Sequence, residues 1–293
     1  MRCARGPNLP GLMGAGGMAE LFKTTARAVV KLPAGTEPAH VAALADAGLT
    51  AYHAVRKAVP ALGPGSSAVA VGAGGLGHIG IQCLTAMTAA QVIAVDTSED
   101  ALKLALSCGA DHAVTADGQQ AQQVRDLTGT GANAVFDFVG EDTTIGDSVA
   151  MLRPGGTYYL IGYGGTVTLP AIQLVLGEIT VAGNLIGTNP DLTELVRLAS
   201  QGKVTLHSAS YPLEAANDAI DDLRHGRIRA GPSSFPAEPA AHNRSALMRR
   251  ILLPERIPGR HLAPGMRPGP RSIPRKEHQC AVQSGMPRHR PPP

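Results

Sequence analysis

The sequence predicts an α/β fold, a doubly wound parallel sheet. Two patterns point to it. From Ser67 onward, short apolar runs alternate with segments of helical periodicity, as in successive βαβ units. The first run also empties into a glycine cluster that opens a helix, where such sheets place their ligand crevice. Parallel strands are covered on both faces and so read as near-continuous apolar runs, and right-handed crossovers wind the helices onto both sides.

The elements follow in order. SAVAVGAG (67–74) is a buried strand running into glycines, and LGHIGIQCLTAMTA has helical spacing. QVIAVD (91–96) is a second strand. SEDALKLALSCGA is a helix with Ser98 as its N-cap and Gly109 as its stop. DHAVTA is a short third strand, GQQAQQVRDLTG a polar helix and NAVFDFVG (133–140) a fourth strand. TTIGDSVAMLRPGG reads as a helix stopped by Pro-Gly-Gly, TYYLIGYGG (157–165) as a fifth strand, and GEITVAGNLIG (177–187) as a sixth, at the edge of the sheet. Upstream, a helix is expected to begin near Thr50. AELFKTTARAVVKLP alternates like an antiparallel strand pair. The glycines of MGAGGMAE (13–20) follow no strand, so 14–17 is read as a loop.

Composition separates the last part of the chain from the rest. Residues 231–293 hold 13 of the 23 prolines and 11 of the 26 Lys and Arg, but only three of the 23 Asp and Glu. A basic, Pro-rich segment of low apolar content cannot bury enough surface to offset ordering entropy, so 231–293 is expected to be disordered. The abrupt switch after Ala230 suggests out-of-frame translation. A basic arm for nucleic acid is disfavoured because the segment lacks interleaved aromatics for base stacking. Cys3, Cys83, Cys108 and Cys280 are scattered, which excludes a disulfide framework and fits a reducing, cytoplasmic setting. Arg2 and Arg5 precede no apolar core of a signal peptide. The most apolar stretch, Ile79 to Val95, is broken by polar residues and reads as helix then strand, not as a membrane span.

The chemistry concentrates at the first strand–helix junction. Gly72-Ala73-Gly74-Gly75-Leu76-Gly77 fits G-x-G-x-x-G, follows a strand and opens a helix. Glycines there permit a tight turn and close approach of a pyrophosphate, and the helix N-terminus supplies amides and a positive dipole end. Asp96 ends the second strand 19 positions after Gly77. A carboxylate there accepts hydrogen bonds from ribose hydroxyls and repels a 2′-phosphate, and Thr97 and Ser98 bring no cation, which favours NAD over NADP. Asp46, alone among small and apolar residues, caps a helix, bonds within a loop, or ligates a metal. Residue chemistry alone favours the helix cap or loop bond over the metal. His40, His53, His78 and His112 are dispersed singles and read as ordinary core or surface histidines.

Residues 17 to about 230 resemble the zinc-dependent alcohol dehydrogenases of the medium-chain dehydrogenase/reductase superfamily. The likeness is carried by GGMAE with ARAVVKLP, LADAGLTAYHAV, VGAGGLGH, VIAVD, KLALSCGADHAV, VFDFVG, LRPGGTYYLIG and GKVTLHSASYPLEAANDAIDDLRHGRI. It implies a Rossmann domain flanked by remnants of a discontinuous GroES-like catalytic domain. The expected partition is a catalytic-domain remnant over 1–60, the Rossmann NAD-binding domain over 61–188, a return to the catalytic domain over 189–230, and the tail over 231–293. It also implies hydride transfer between a small alcohol or aldehyde bound to zinc and the nicotinamide of NAD. Partners are otherwise expected to be neither nucleic acid nor membrane, but a second copy of the chain, paired through the sixth strand.

Site residues are carried over by the same resemblance. Gly72, Gly74, Gly75, Leu76, Gly77 and Asp96 would hold the cofactor. Val139, Ile161 and the 183–187 backbone would lie along its carboxamide, and Thr50 near the nicotinamide as the catalytic-site contact. Asp46 matches the third zinc ligand, which is Cys or Asp in this family, and a catalytic zinc uses three protein ligands with one open position. Asp46 also argues against a zinc-free quinone-reductase-like relative. The other two ligands, an upstream Cys and a Gly-His-Glu segment, have no counterpart here, and MRCARGPNLPG resembles the end of the family's structural-zinc lobe, with Cys3 its survivor. The expectation is an N-terminally truncated chain, and beside the oxidoreductase stands the alternative of a non-catalytic NAD(H)-binding module.

Overall fold

The computed structural model describes residues 16–228 and 232–235. Three single-turn 3-10 segments, Ala26–Ala28, Pro38–His40 and Ala42–Ala45, lead into helix α1, Ala47–Ala58. The antiparallel pair expected across 19–33 does not form. That stretch is largely exposed, its only regular piece is Ala26–Ala28, and no described strand lies beside it. Alternation makes a strand only where a neighbour takes up the backbone N–H and C=O groups, and none of the described strands does so here.

Six strands then form one parallel sheet: β1 (Ser67–Val71), β2 (Gln91–Asp96), β3 (His112–Thr115), β4 (Ala132–Asp137), β5 (Leu152–Leu160) and β6 (Thr180–Gly183). Their spatial order is β3-β2-β1-β4-β5-β6. The chain runs outward from β1 to one edge, returns, and runs outward again from β4, so the order reverses between β1 and β4. In an open α/β sheet that reversal leaves a crevice at the carboxyl ends of the strands. The connecting helices are α2 (Gly77–Met87), α3 (Glu99–Ser107), α4 (Gln120–Thr128), α5 (Asp142–Ala150) and α6 (Ala171–Gly177). Ser98 caps α3 by accepting the Ala101 amide, as its position predicts.

All five residues of β1 are buried, which is why it reads as an unbroken apolar run. Its alternation still has a use. Ala68 and Ala70 join the cluster beneath α1 and α2, while Val69 and Val71 join the opposite cluster with Val124 of α4 and Ile145 and Val149 of α5. The alanine face admits helices closely. A Cβ added at Gly80 of α2 would run into the Phe138 ring. On the same face Phe136 and Tyr159 stack with centroids 4.9 Å apart.

The Pro-Gly-Gly stop expected after α5 lies elsewhere. α5 ends at Ala150, and Pro154-Gly155-Gly156 sits inside β5 as an irregularity, with the register passing from Ala132 opposite Leu152 to Ala134 opposite Thr157. Proline contributes no N–H to the ladder, and Gly155 takes φ +73°, so the strand bulges there instead of stopping.

After β6 come α7 (Asn189–Ser200), β7 (Ala209–Pro212), α8 (Ala216–Arg224) and β8 (Pro232–Phe235). β8 pairs in parallel with β7, so one regular element falls at the start of the stretch expected to be disordered. The rest of 231–293 lies outside the described residues, as do Cys3, Cys280 and the first half of the 14–17 loop.

Candidate functional site

The glycine loop sits at the reversal point, between the end of β1 and the start of α2. Gly72 turns the chain with φ +83°, and a Cβ there would meet Val139 Cγ2 at 2.7 Å. Gly77 is pressed against the Gly72 carbonyl so tightly that any side chain would overlap it. Gly74 differs from both: a Cβ added there meets nothing within 4 Å. Two glycines are therefore required by the protein's own packing, whereas packing does not demand the middle one. Leu76, at the N-cap of α2, provides no side-chain cap, and within the first turn the His78 amide donates to Gly74 O at 3.1 Å and the Ile79 amide to Leu76 O at 3.2 Å. The NAD-type cofactor implied by the sequence fits this loop.

Asp96 is placed to serve the same crevice. Its Oδ2 accepts the Ala73 amide at 2.7 Å and its Oδ1 accepts the Ser98 amide at 2.8 Å. The carboxylate is half-buried, and each oxygen retains a lone pair beyond the amide it accepts. On the far side of the crevice, Val139 follows β4 and Ile161 follows β5, the first exposed and the second buried.

Asp137, at the end of β4, shapes that side. It is fully buried. Oδ1 accepts the amides of Val139 and Gly140 at 2.9 and 2.8 Å, and Oδ2 accepts the hydroxyls of Thr144 and Tyr158, both at 2.8 Å. Burial and the neighbouring Asp137 carboxylate push the Tyr158 phenol far above its usual range, so it stays a donor. Gly140 packs on the Gly162 backbone with no room for a side chain, joining the turns after β4 and β5. A carboxylate within VFDFVG was a readable signal of this turn.

Thr50 lies in the first turn of α1, buried, its hydroxyl donating to the Asp46 carbonyl at 2.8 Å. Asp46 is exposed, and its carboxylate makes no capping bond to α1. Among the described residues no group of three or more His, Cys, Asp or Glu side chains could hold a metal ion. The described residues therefore do not furnish a zinc site, and Asp46 stands apart from other ligands. Burial pushes the Cys83 thiol up to about 12 and raises that of Cys108, so neither is poised as a nucleophile or soft ligand.

Two further residues brace these elements: a histidine that is the satisfied core residue expected of it, and a carboxylate that sequence reading did not single out. His78, buried in α2, donates Nδ1–H to the Gly74 carbonyl at 2.9 Å and accepts the His207 amide on Nε2 at 3.3 Å. Asp191, buried at the start of α7, gathers His53, Arg56 and Thr188. The first looked like one more isolated histidine. The second belongs to a Thr-x-x-Asp capping box, Thr188 to Asp191, that the sequence does display.

Sheet order and the glycine loop at the reversal point together define a fold of the Rossmann type. Comparison with known proteins narrows this. Residues 75–201 match the family model described as zinc-binding dehydrogenase. The NAD-dependent alcohol dehydrogenase of Sulfurisphaera tokodaii is 36% identical over 189 residues, covering 63% of this chain and 54% of that protein. The crystal structure of the alcohol dehydrogenase from Aeropyrum pernix superposes with TM-score 0.75 at 42% identity, over 78% of this chain and 68% of that one. The acetophenone reductase of Geotrichum candidum, solved in complex with NAD, superposes with TM-score 0.62 at 27% identity, over 70% of this chain and 58% of its own. The chain belongs to the zinc-binding alcohol dehydrogenase family, as its sequence motifs imply. It spans about half the length of the first of these relatives (54%).

Proposed function

We propose that the protein is an oxidoreductase that binds NAD(H) and serves hydride transfer between a small alcohol and its carbonyl product. The observation that carries this reading is Gly74, where a side chain would meet only open space beside two glycines that packing alone demands. The pyrophosphate would rest over Gly74, Gly75, Leu76 and Gly77, and the adenosine ribose on Asp96. The nicotinamide, flanked by Thr50, Val139, Ile161 and the 183–187 backbone, supplies the hydride acceptor when bound. Leu76 would back it. The chain's own residues bind, orient and exclude water, and the buried Asp137 keeps the 138–140 turn in shape for that task.

In this reading the domains divide as the sequence suggests, with 61–188 binding the cofactor and 1–60 and 189–230 belonging to the substrate side. Asp46 keeps its assignment as a zinc-ligand position, but the described residues offer no partners for it, so no step is derived through the metal. This favours a second reading specifically: a module that holds NAD(H) without turnover. Calorimetric titration with NADH and NADPH, followed by NAD reduction assays with a panel of primary and secondary alcohols with and without added zinc, separates the two. Alcohol-dependent NADH production supports the enzyme, and NADH binding alone supports the module. Failure to bind either nucleotide sinks both.

A homo-oligomer paired through β6 also fits. β6 is an edge strand, and Ile172, Val175, Leu176 and Leu185 around it are exposed. No helix among the described residues is long and apolar enough to cross a membrane. With the scattered cysteines this supports a cytoplasmic setting.

A further inference from the structure

We propose that Asp191 is the positioning residue for the nicotinamide half of the cofactor, holding α1 and the 183–188 segment in one fixed relation. This rests on the NAD reading above, which places Thr50 and the 183–187 backbone on either side of that half.

The geometry is specific. Asp191 is fully buried, and both its carboxylate oxygens are engaged from two different parts of the chain. From α1, Arg56 pairs with Oδ1 and His53 Nδ1 donates to Oδ2 at 2.9 Å. From the segment before α7, the Thr188 amide and hydroxyl donate to Oδ2 at 2.8 and 2.7 Å. One carboxylate thus bridges the helix that carries Thr50 and the end of the segment that leaves β6. The two are also in direct contact. A Cβ at Gly187 would meet Leu49 Cδ1 at 2.6 Å and His53 Cβ at 3.2 Å, and Lys57 Nζ donates to Asn184 Oδ1 at 2.5 Å.

The segment between is under strain. Ile186 has φ +45°, in the left-handed region that a β-branched residue enters only at a cost, and which persists only when the surroundings hold it. Its two ends are held. Asn184 N donates to Leu160 O at 2.9 Å on the β6 side, and Asp191 holds Thr188 on the other. Releasing Asp191 frees the second end, and Ile186 can relax to negative φ, moving the backbone of 185–187. The glycine loop and Asp96, which take the adenosine diphosphate half, are tied to neither end and stay in place.

The test uses the full chain and two probes, NADH and ADP-ribose, the latter lacking the nicotinamide. Asp191→Asn is expected to weaken NADH by about tenfold or more, the scale of losing a hydrogen bond to a charged group. It is expected to abolish the blue shift of bound NADH fluorescence and to leave ADP-ribose affinity unchanged. Parallel loss of both ligands, or of neither, overturns the proposal, because a general loosening would not single out one half. If Asp191→Asn does not fold, the pair His53→Ala with Arg56→Ala removes the α1 partners and keeps the Thr188 cap, and the same selective loss is expected. A parent protein that binds ADP-ribose but not NADH overturns the inference while sparing the loop and Asp96. One that binds neither overturns the cofactor reading itself.

Discussion

The carboxylate of Asp96 accepts the amide of Ala73 at 2.7 Å, so the residue expected to hold the ribose also braces the loop expected to hold the pyrophosphate. Its second oxygen accepts the Ser98 amide at the start of α3. Replacement of Asp96 therefore acts twice. Asp96→Ala is expected to weaken NADH by roughly ten- to a hundredfold, the scale of a lost charge-assisted hydrogen bond with loss of loop order. NADPH, repelled by the carboxylate in the parent protein, is expected to lose less or to gain. Side-by-side titration of both nucleotides checks this. An unchanged NADH affinity would place the ribose elsewhere.

The glycines of the loop answer to different causes, and substitution separates them. Gly77→Ala forces a methyl onto the Gly72 carbonyl and is expected to lower the melting temperature sharply. Gly74→Ala meets no neighbour, so thermal stability is expected to hold while NADH binding falls. If Gly74→Ala binds NADH as the parent does, the cofactor does not pass over this loop.

Much of this was legible in advance because its causes are local. SAVAV announces a doubly covered strand, SEDA a capped helix, and the three glycines a junction, each within a few residues of the feature it specifies. The failures have a common origin in distance. AELFKTTARAVVKLP has strand periodicity, yet periodicity does not supply the neighbour that a strand needs. The prolyl-glycyl-glycyl run marked a break in the ladder without saying on which side of it the strand begins. His78 is the satisfied core histidine expected, but its partner His207, 129 positions away, was not foreseen. Asp191 draws its partners from α1, 135 and 138 positions earlier.

The Asp137 network is the most densely bonded polar group in the crevice wall, and its cost if broken is predictable. Tyr158→Phe removes one donor from a buried carboxylate and leaves the volume nearly unchanged. A loss on the order of 2 kcal/mol is expected, since hydrogen bonds to charged groups are worth about 1.5–3 kcal/mol. Urea denaturation of the two proteins measures it. Asp137→Leu is expected to cost more, because the amides of Val139 and Gly140 then lose their acceptor inside the protein. A Tyr158→Phe protein as stable as its parent would mean that the tyrosine is not a necessary donor.

Asp191 should be visible in acid. Burial pushes its carboxyl up, but the bonds from Thr188, Arg56 and His53 outweigh that and hold it down at about 2, against 3.8 for a free side chain. A carboxyl depressed in the folded state contributes stability above its unfolded value and loses that contribution as pH falls through its folded value. The expected contribution is on the order of 2 kcal/mol, present at neutral pH and lost between roughly 4 and 2. Denaturation midpoints recorded down the pH scale should converge for the parent and Asp191→Asn in this window. Parallel curves would mean that the carboxyl titrates normally.

His78 predicts a dependence at milder pH and with its own cause. Burial depresses its basicity, and the geometry agrees: Nε2 accepts the His207 amide while Nδ1–H donates to Gly74 O, an arrangement open only to the neutral ring. The titratable group facing it is His207, whose ring sits edge-on at 5.7 Å and adds to the lowering. A base weakened by folding binds its proton more readily in the unfolded chain, so stability is complete above the unfolded value near 6.5 and declines as pH drops below it. Protonation keeps the Nδ1–H donation to Gly74 O but sets a second N–H against the His207 amide, which drives the ring out of the position from which it holds the Gly74 carbonyl. NADH binding and stability are therefore expected to fall together from pH 7 to 5 in the parent. His78→Gln, which can donate and accept without titrating, is expected to flatten both profiles, and equal slopes in the two proteins would assign the pH dependence to other groups.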